Sequence, residues 1–152
     1  MGSKSAVVIE NDAKDLLSAL SILRSFGFER TASFDSSYKA QRYLEGCLAS
    51  DPAVPDLIIV DLDLQHESGY ELIRHRRVNA KLLKIPVVVW SVLGEDHEQI
   101  CEVFKINSFV PKWKGAEGLE NAIREILQSR IANELETSYG ASGGASEMNT
   151  DG

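Results

Sequence analysis

The sequence has few of the residues that stabilise very small or secreted folds. Two cysteines, Cys47 and Cys101, occur in 152 residues, and no CxxC pair is present. Two distant cysteines exclude a disulfide scaffold and a cysteine-ligated zinc site, and they favour a reducing cytoplasm. No apolar run in the sequence approaches the length of about 20 residues that a membrane-spanning helix needs. We therefore expect a cytoplasmic protein that folds around its own hydrophobic core.

Signals for nucleotide and nucleic-acid binding are also missing. The glycines form neither GxGxxG nor GxxxxGK[ST], the patterns of loops that cradle phosphates. The formal net charge is −7, from 16 basic and 23 acidic residues, and a net negative field opposes binding to a phosphate backbone. The short basic run at 74–77 is typical of a solvated helix face. The sequence therefore predicts neither a nucleic-acid partner nor a membrane partner.

Short apolar runs alternate with amphipathic helical patterns along most of the chain. Three of the five strand candidates are almost entirely aliphatic, which is typical of strands buried on both faces of a parallel sheet. Asp12, together with Asp35 or Ser36, is a candidate helix N-cap, and Gly27 is a candidate helix stop. The order predicts an α/β fold, a doubly wound five-stranded parallel sheet. The strand candidates are 6–9, 30–33, 57–60, 86–90 and 108–110.

The last twenty residues differ in composition from the rest. Residues 133–152 carry four acidic and no basic side chains, and glycine and serine dominate 138–146. Such a segment buries too little apolar surface to offset the entropy lost on ordering. The sequence therefore predicts one domain at 1–132, followed by an acidic Gly/Ser-rich tail at 133–152 that is disordered.

Polar side chains follow four of the five strand candidates. Because ligands of an open parallel sheet bind at the carboxyl ends of its strands, we expect these side chains to lie close together. Clustered carboxylates need a cation, and hard oxygen ligands suit Mg²⁺. A carboxylate can also attack phosphorus while a lysine and a hydroxyl bind the transferred group. The side chains are Glu10, Asn11, Asp61, Asp63, Ser91 and Lys112.

Four segments, taken in order, resemble the receiver domains of response regulators, the CheY-like family. Residues 7–12 (VVIEND) stand where that family has its acidic pair, and 55–61 (PDLIIVD) resembles the strand that ends in the phospho-acceptor aspartate. Gly69 falls where the family has a glycine after the acceptor loop. Residues 85–91 (IPVVVWS) resemble the strand that ends in the switch Ser or Thr, and 108–112 (SFVPK) the segment with the switch aromatic and the lysine.

The resemblance implies a flavodoxin-like (βα)5 receiver fold and a role in two-component signal transduction. Asp61 would accept a phosphoryl group from a histidine kinase or phosphotransfer protein, and output would occur by contact with a downstream protein. Ser91 and Lys112 would bind the phosphoryl group, and Phe109 would reposition together with Ser91 as a switch. Such a domain is not an enzyme beyond promoting its own phosphorylation and dephosphorylation.

The resemblance also implies a Mg²⁺ site. Glu10 would act through water, Asp61 directly, and Asp63 through its backbone carbonyl. Asn11 stands where the family usually has a charged ligand, so we expect the metal to bind more weakly here.

Three departures from the family pattern favour an alternative function. They are Asn11 itself, Trp113 where the family has proline after the lysine, and the loop 65–68 in place of a loop that contains Pro-Gly. The alternative is a pseudo-receiver that scaffolds or signals without phosphorylation. A remote alternative is a haloacid-dehalogenase-type phosphatase, because Asp61-Leu62-Asp63 resembles the nucleophile motif of that family, although there the motif normally opens the chain.

Overall fold

A computed structural model describes residues 4–50, 54–92 and 97–151 of the chain. Its centre is one five-stranded parallel sheet with the strand order β2-β1-β3-β4-β5. This confirms the doubly wound α/β fold expected from the sequence, and β3 has the predicted bounds. The strands are β1 Lys4–Ile9, β2 Phe28–Phe34, β3 Leu57–Val60, β4 Val87–Ser91 and β5 Ser108–Pro111.

The predicted helices all form, and two short turns were not predicted: a 3₁₀ turn at Lys112–Lys114 and one α-helical turn. Asp12 and Ser36 are the N-caps of the first two helices, and each side chain accepts a hydrogen bond from a backbone N–H in the first turn. The α-helical turn, α4, begins after Asn79, whose side chain caps it. The helices are α1 Ala13–Ser25, α2 Ser37–Leu48, α3 Tyr70–Arg77, α4 Ala80–Leu83, α5 His97–Phe104 and α6 Gly115–Asp151.

Two apolar layers cover the sheet. On one face α1 and α6 contribute Leu23, Leu119 and Ile123, which pack on alternate residues of the central strands. On the other face α2 and α3 contribute residues such as Leu44 and Leu72, and α4 and α5 complete the layer. All residues of β3 and β4 are buried, whereas the edge strands β2 and β5 are partly exposed. The unalternating aliphatic runs therefore mark the central strands, as the sequence indicated.

The last helix is longer than the sequence analysis predicted. The disordered tail was predicted to begin at residue 133, but α6 continues to Asp151. Because no proline follows Pro111, nothing in the sequence blocks the backbone hydrogen bonds of this helix. Every residue from 128 to 136 is exposed, so the extension lacks the packing of the earlier turns, and the division at residue 132 stays a prediction. No helix among the described residues has both the length and the apolarity to cross a membrane.

Candidate functional site

The register of the sheet brings four strand ends to one place. Ile9 pairs with Val60, Val60 pairs with Val89, and β4 pairs with β5 through Ser91 and Pro111. The strand order reverses between β1 and β3, where open α/β sheets form their binding crevice. The residues that follow these strands therefore meet at the same edge.

Asp61 lies at the centre of this edge and is 4% exposed. Its Oδ1 accepts hydrogen bonds from the Ser91 hydroxyl at 2.7 Å and from the backbone N–H of Asp63 at 3.0 Å. Its Oδ2 accepts from the Lys112 ammonium at 2.9 Å. Ser91 is fully buried. A carboxylate is thus held between a hydroxyl and a cation, both in contact with its oxygens.

Lys112 is surrounded by three carboxylates. Its Nζ lies 2.6 Å from Glu10 Oε1, 2.6 Å from Asp15 Oδ2 and 2.9 Å from Asp61 Oδ2, and its side chain is 10% exposed. The same nitrogen lies 5.2 Å from the centre of the Trp90 ring. Burial alone would lower the pKa of Lys112, but the hydrogen bonds to the three carboxylates outweigh it and raise that pKa. Lys112 is therefore cationic throughout the physiological range.

Glu10 is the most perturbed carboxyl of the site. Its side chain is 2% exposed, and its Oε2 accepts a hydrogen bond from the backbone N–H of Asp12 at 3.3 Å. Burial raises the pKa of Glu10 to about 7; Lys112 opposes the rise and the charge of Asp61 adds to it. Glu10 therefore exchanges its proton near neutral pH.

Asp15 belongs to the site although the sequence analysis did not predict it. It lies in the first turn of α1, three residues after the N-cap, and its carboxylate contacts Lys112 across 97 residues of sequence. An acidic residue in the first turn of a helix is already explained by its favourable interaction with the helix dipole, so the sequence alone gave no reason to assign Asp15 to the site. Its contact with Lys112 depends on how α1 packs against β1 and beside α6, which no local pattern reveals.

The loop after Asp61 has its own folded structure. Asp63 and Ser68 form an antiparallel bridge, and the Ser37 hydroxyl donates to the backbone oxygen of Ser68 at 3.0 Å. The Glu67 carboxylate accepts the backbone N–H of Ser37 at the start of α2. A Cβ at Gly69 would overlap the backbone oxygen of Asp61, so this position needs glycine. The unusual loop 65–68 thus docks on the start of α2.

The other predicted site residues lie at the border of this cluster. The Asp63 side chain is exposed, and its Oδ1 accepts a hydrogen bond from the backbone N–H of Gln65 at 3.3 Å. Asn11 is half-buried just beyond the end of β1. Phe109 is half-buried and packs against the core on the α2 face of the sheet. Trp113, which stands where the resemblance implies proline, lies in a 3₁₀ turn and is 80% exposed.

The oxygen atoms at this edge are of the chemical types that bind divalent cations. The described side chains include no group of three or more His, Cys, Asp or Glu residues arranged to hold a metal ion. However, three carboxylates surround one ammonium, which leaves excess negative charge at the edge. The carboxylates of Glu10 and Asp61, the amide of Asn11 and the carbonyl of Asp63 are ligand types that Mg²⁺ accepts. They fit the metal, with one charged ligand fewer than the family pattern implies.

Comparisons with known proteins agree with this fold. The chemotaxis protein CheV1 of Helicobacter pylori is 30% identical over 73 residues, which are 47% of this chain and 22% of that protein. The phosphorylated cyanobacterial phytochrome response regulator RcpA is 23% identical, with a TM-score of 0.67 over 82% of this chain and 91% of that one. The receiver domain of the Arabidopsis thaliana histidine kinase CKI1, in complex with Mg²⁺ and BeF₃⁻, is 24% identical, with a TM-score of 0.62 over 82% of this chain and 90% of that one.

No family model matches the sequence. The structural similarity nevertheless extends over more than four fifths of the chain and includes response regulators. The chain therefore has the CheY-like receiver fold, as the sequence resemblance implied.

Proposed function

We propose that this chain is a response-regulator receiver domain that accepts a phosphoryl group on Asp61. The observation that carries the proposal is the buried Asp61 carboxylate, which lies within 2.9 Å of both the Ser91 hydroxyl and the Lys112 ammonium. Phosphoryl transfer consists largely of positioning and charge neutralisation, and a nucleophile, a hydroxyl donor and a cation are the parts it needs.

In the proposed reaction, one carboxylate oxygen of Asp61 attacks the phosphorus of the donor, and a new O–P bond forms. The bond between phosphorus and the donor breaks at the same time. With a phosphohistidine donor, the imidazole nitrogen keeps the bonding electron pair and takes up a proton. Lys112 then pairs with the charge of the phosphoryl oxygens, and Ser91 donates a hydrogen bond to one of them.

Mg²⁺ is the cofactor that we propose for this step. Asp61, Glu10, Asn11 and the backbone carbonyl of Asp63 are the residues that would hold it. When bound, the ion neutralises charge on the transferring phosphoryl group. The excess of carboxylates over ammonium groups at this edge supports the assignment.

The partners follow from the same chemistry. We propose a histidine kinase or phosphotransfer protein as the donor, and a further protein, recognised by contact, as the receiver of the signal. Similarity to a phosphorylated response regulator and to the receiver domain of a histidine kinase supports this. Ser91 and Phe109 are the proposed switch: Phe109 pairs with Val89 two residues before Ser91, so a movement of Ser91 reaches it through the sheet. We propose a cytoplasmic location, where such kinases present their phosphohistidine.

The test is the mass of the protein after incubation with acetyl phosphate and Mg²⁺. We expect a gain of one phosphoryl group in the wild type and no gain in Asp61→Asn. Asp56→Asn is the matched control, because Asp56 lies at the opposite end of β3, where its side chain accepts from the Ser5 backbone at 2.9 Å. An unmodified wild type, or equal labelling of Asp61→Asn, would contradict the proposal.

Two observations favour the alternative of a receiver fold that acts without phosphorylation. Both oxygens of Asp61 already accept hydrogen bonds from protein groups, and Asn11 supplies no charge for a metal. A Mg²⁺ titration monitored by tryptophan fluorescence tests this alternative. Saturable binding in the millimolar range would count against it. The phosphatase alternative gains no support, because the exposed Asp63 carboxylate bonds within its own loop and not to Asp61.

A further inference from the structure

We propose that Asp15 is a positioning residue that holds Lys112 in place during phosphoryl transfer, a role that rests on the proposed function. The contact that carries this inference is the 2.6 Å pair between Asp15 Oδ2 and Lys112 Nζ. Asp15 lies on α1, whereas the other two partners of Lys112 follow strands β1 and β3. Asp15 therefore holds Lys112 from a different structural element.

The geometry uses the full donor capacity of the lysine. An ammonium group has three N–H donors and no acceptor. Glu10, Asp15 and Asp61 each lie within 2.9 Å of Nζ, so each carboxylate has one donor available to it. The lysine side chain is 10% exposed, so its position is set mainly by these three partners. Loss of the Asp15 charge would replace a charge-assisted bond by a weaker one and hold the side chain less firmly.

The three partners are not equivalent during the reaction. When Asp61 becomes a mixed anhydride with phosphate, it loses its carboxylate charge, and Lys112 must turn towards the phosphoryl oxygens. Glu10, whose side chain is 2% exposed, lies with Asp61 in the buried part of the edge and is itself a proposed metal ligand. Asp15 is 32% exposed, lies on α1 and is not a proposed metal ligand. Asp15 is thus the partner whose contact with Lys112 does not depend on the group that reacts or on the metal.

Asp15 also offsets the missing carboxylate at Asn11. The edge still carries three carboxylates around its lysine, although the acidic pair after β1 has only one charged member. In this chain the third charge comes from α1. Asp15 does not replace Asn11 as a proposed metal ligand, since it lies on α1 and does not directly follow a strand of this edge.

The test compares the initial rate of phosphorylation by acetyl phosphate with Mg²⁺ in Asp15→Asn, Asp15→Glu and Asp12→Asn. Asp12→Asn removes the same charge from the same end of α1, and asparagine still caps the helix. For a charge-assisted bond that is partly open to solvent, we expect Asp15→Asn to slow labelling about fivefold. Asp15→Glu, which can rebuild the pair, and Asp12→Asn should stay within about twofold of the wild type.

A double-mutant cycle separates positioning from a general structural effect. If Asp15 acts through Lys112, then Asp15→Asn has no further effect on the rate in a Lys112→Ala background. Trp90 gives a second signature, because Lys112 Nζ lies 5.2 Å from its ring. In a Trp113→Phe background, Asp15→Asn should change the Trp90 emission and Asp12→Asn should not.

The outcomes are distinct. If the wild type is not labelled, the proposed function fails. If the wild type is labelled but Asp15→Asn labels as fast as Asp12→Asn, the inference about Asp15 alone is overturned. An equal loss of rate in the wild-type and Lys112→Ala backgrounds, with unchanged Trp90 emission, would also overturn it. Where Lys112→Ala is too slow to measure, the Trp90 emission and the Asp15→Glu rate decide.

Discussion

Glu10→Gln is expected to stabilise the protein above neutral pH. Glu10 is buried, and burial is the main cause that raises its pKa from 4.5 to about 7. Between these two pH values the unfolded chain has released this proton and the folded chain still holds it. The free energy of unfolding therefore falls as pH rises through this window. The loss is complete above the folded pKa and absent below pH 4.5.

The size of the effect follows from the pKa values. A rise of the pKa from 4.5 to about 7 corresponds to about 3 kcal/mol of folding free energy lost on ionisation. Glutamine resembles the protonated side chain and does not titrate. We therefore expect near-equal stability of the two proteins at pH 4.5, and a variant that is more stable by about 3 kcal/mol at pH 8.

Urea unfolding at a series of pH values from 4.5 to 8 measures this difference directly. Contributions from groups that do not interact with Glu10 cancel when the wild type and the variant are compared at each pH. Glu29→Gln is the matched control, because Glu29 is exposed on β2, and its curve should run parallel to the wild type. If Glu10→Gln is also parallel to the wild type, or less stable at pH 8, the account of the buried carboxyl is wrong.

Three further predictions concern the metal, the acceptor loop and a buried arginine. Asn11→Asp adds the missing charged ligand and should tighten Mg²⁺ binding about tenfold in a fluorescence titration; unchanged affinity would remove Asn11 from the proposed site. Gly69→Ala should destabilise by about 2–3 kcal/mol in urea, because its Cβ would overlap backbone, whereas Gly46→Ala in open space on α2 should not destabilise. Arg76 is 2% exposed and donates to three backbone carbonyls, those of residues 83, 85 and 104. Arg76→Met should cost about 3 kcal/mol of unfolding free energy and exposed Arg77→Met under about 1 kcal/mol; equal losses would refute the role of these bonds.

The fold was predictable from the sequence because its signals are local. The aliphatic run 57–60 has no polar alternation, and a strand buried on both faces is the structure that this pattern favours. Ser36 and Asp12 lie at helix starts because their side chains can accept from free backbone N–H groups. The single turn α4 escaped notice because four residues carry too little periodicity.

The site was predictable only where its residues directly follow strands. Glu10, Asp61 and Lys112 meet because parallel strands end at the same edge, a rule that needs no knowledge of side-chain packing. Asp15 follows no strand; it reaches Lys112 because α1 packs against β1 and beside α6, and no sequence pattern encodes that distance. The docking of Glu67 on α2 likewise joins residues 30 apart in sequence.

The end of the chain shows the limit of reasoning from composition. Residues 133–152 lack the apolar content for a packed structure, and the described residues 133–136 are indeed exposed. Amino-acid composition indicates whether a segment can be buried, but it does not determine the backbone conformation of an exposed segment. It therefore did not predict that α6 continues to Asp151. We retain residues 133–152 as a proposed tail outside the packed domain.

The central claim is that Asp61 is the residue that accepts the phosphoryl group, and its chemical location tests this most directly. After treatment with acetyl phosphate and Mg²⁺, borohydride reduces an aspartyl phosphate to homoserine, which peptide mass spectrometry assigns to a single position. The account predicts homoserine at position 61 and at no other carboxylate of the edge. Homoserine at position 10, 15 or 63, or none at all in a folded protein that binds Mg²⁺, would contradict it.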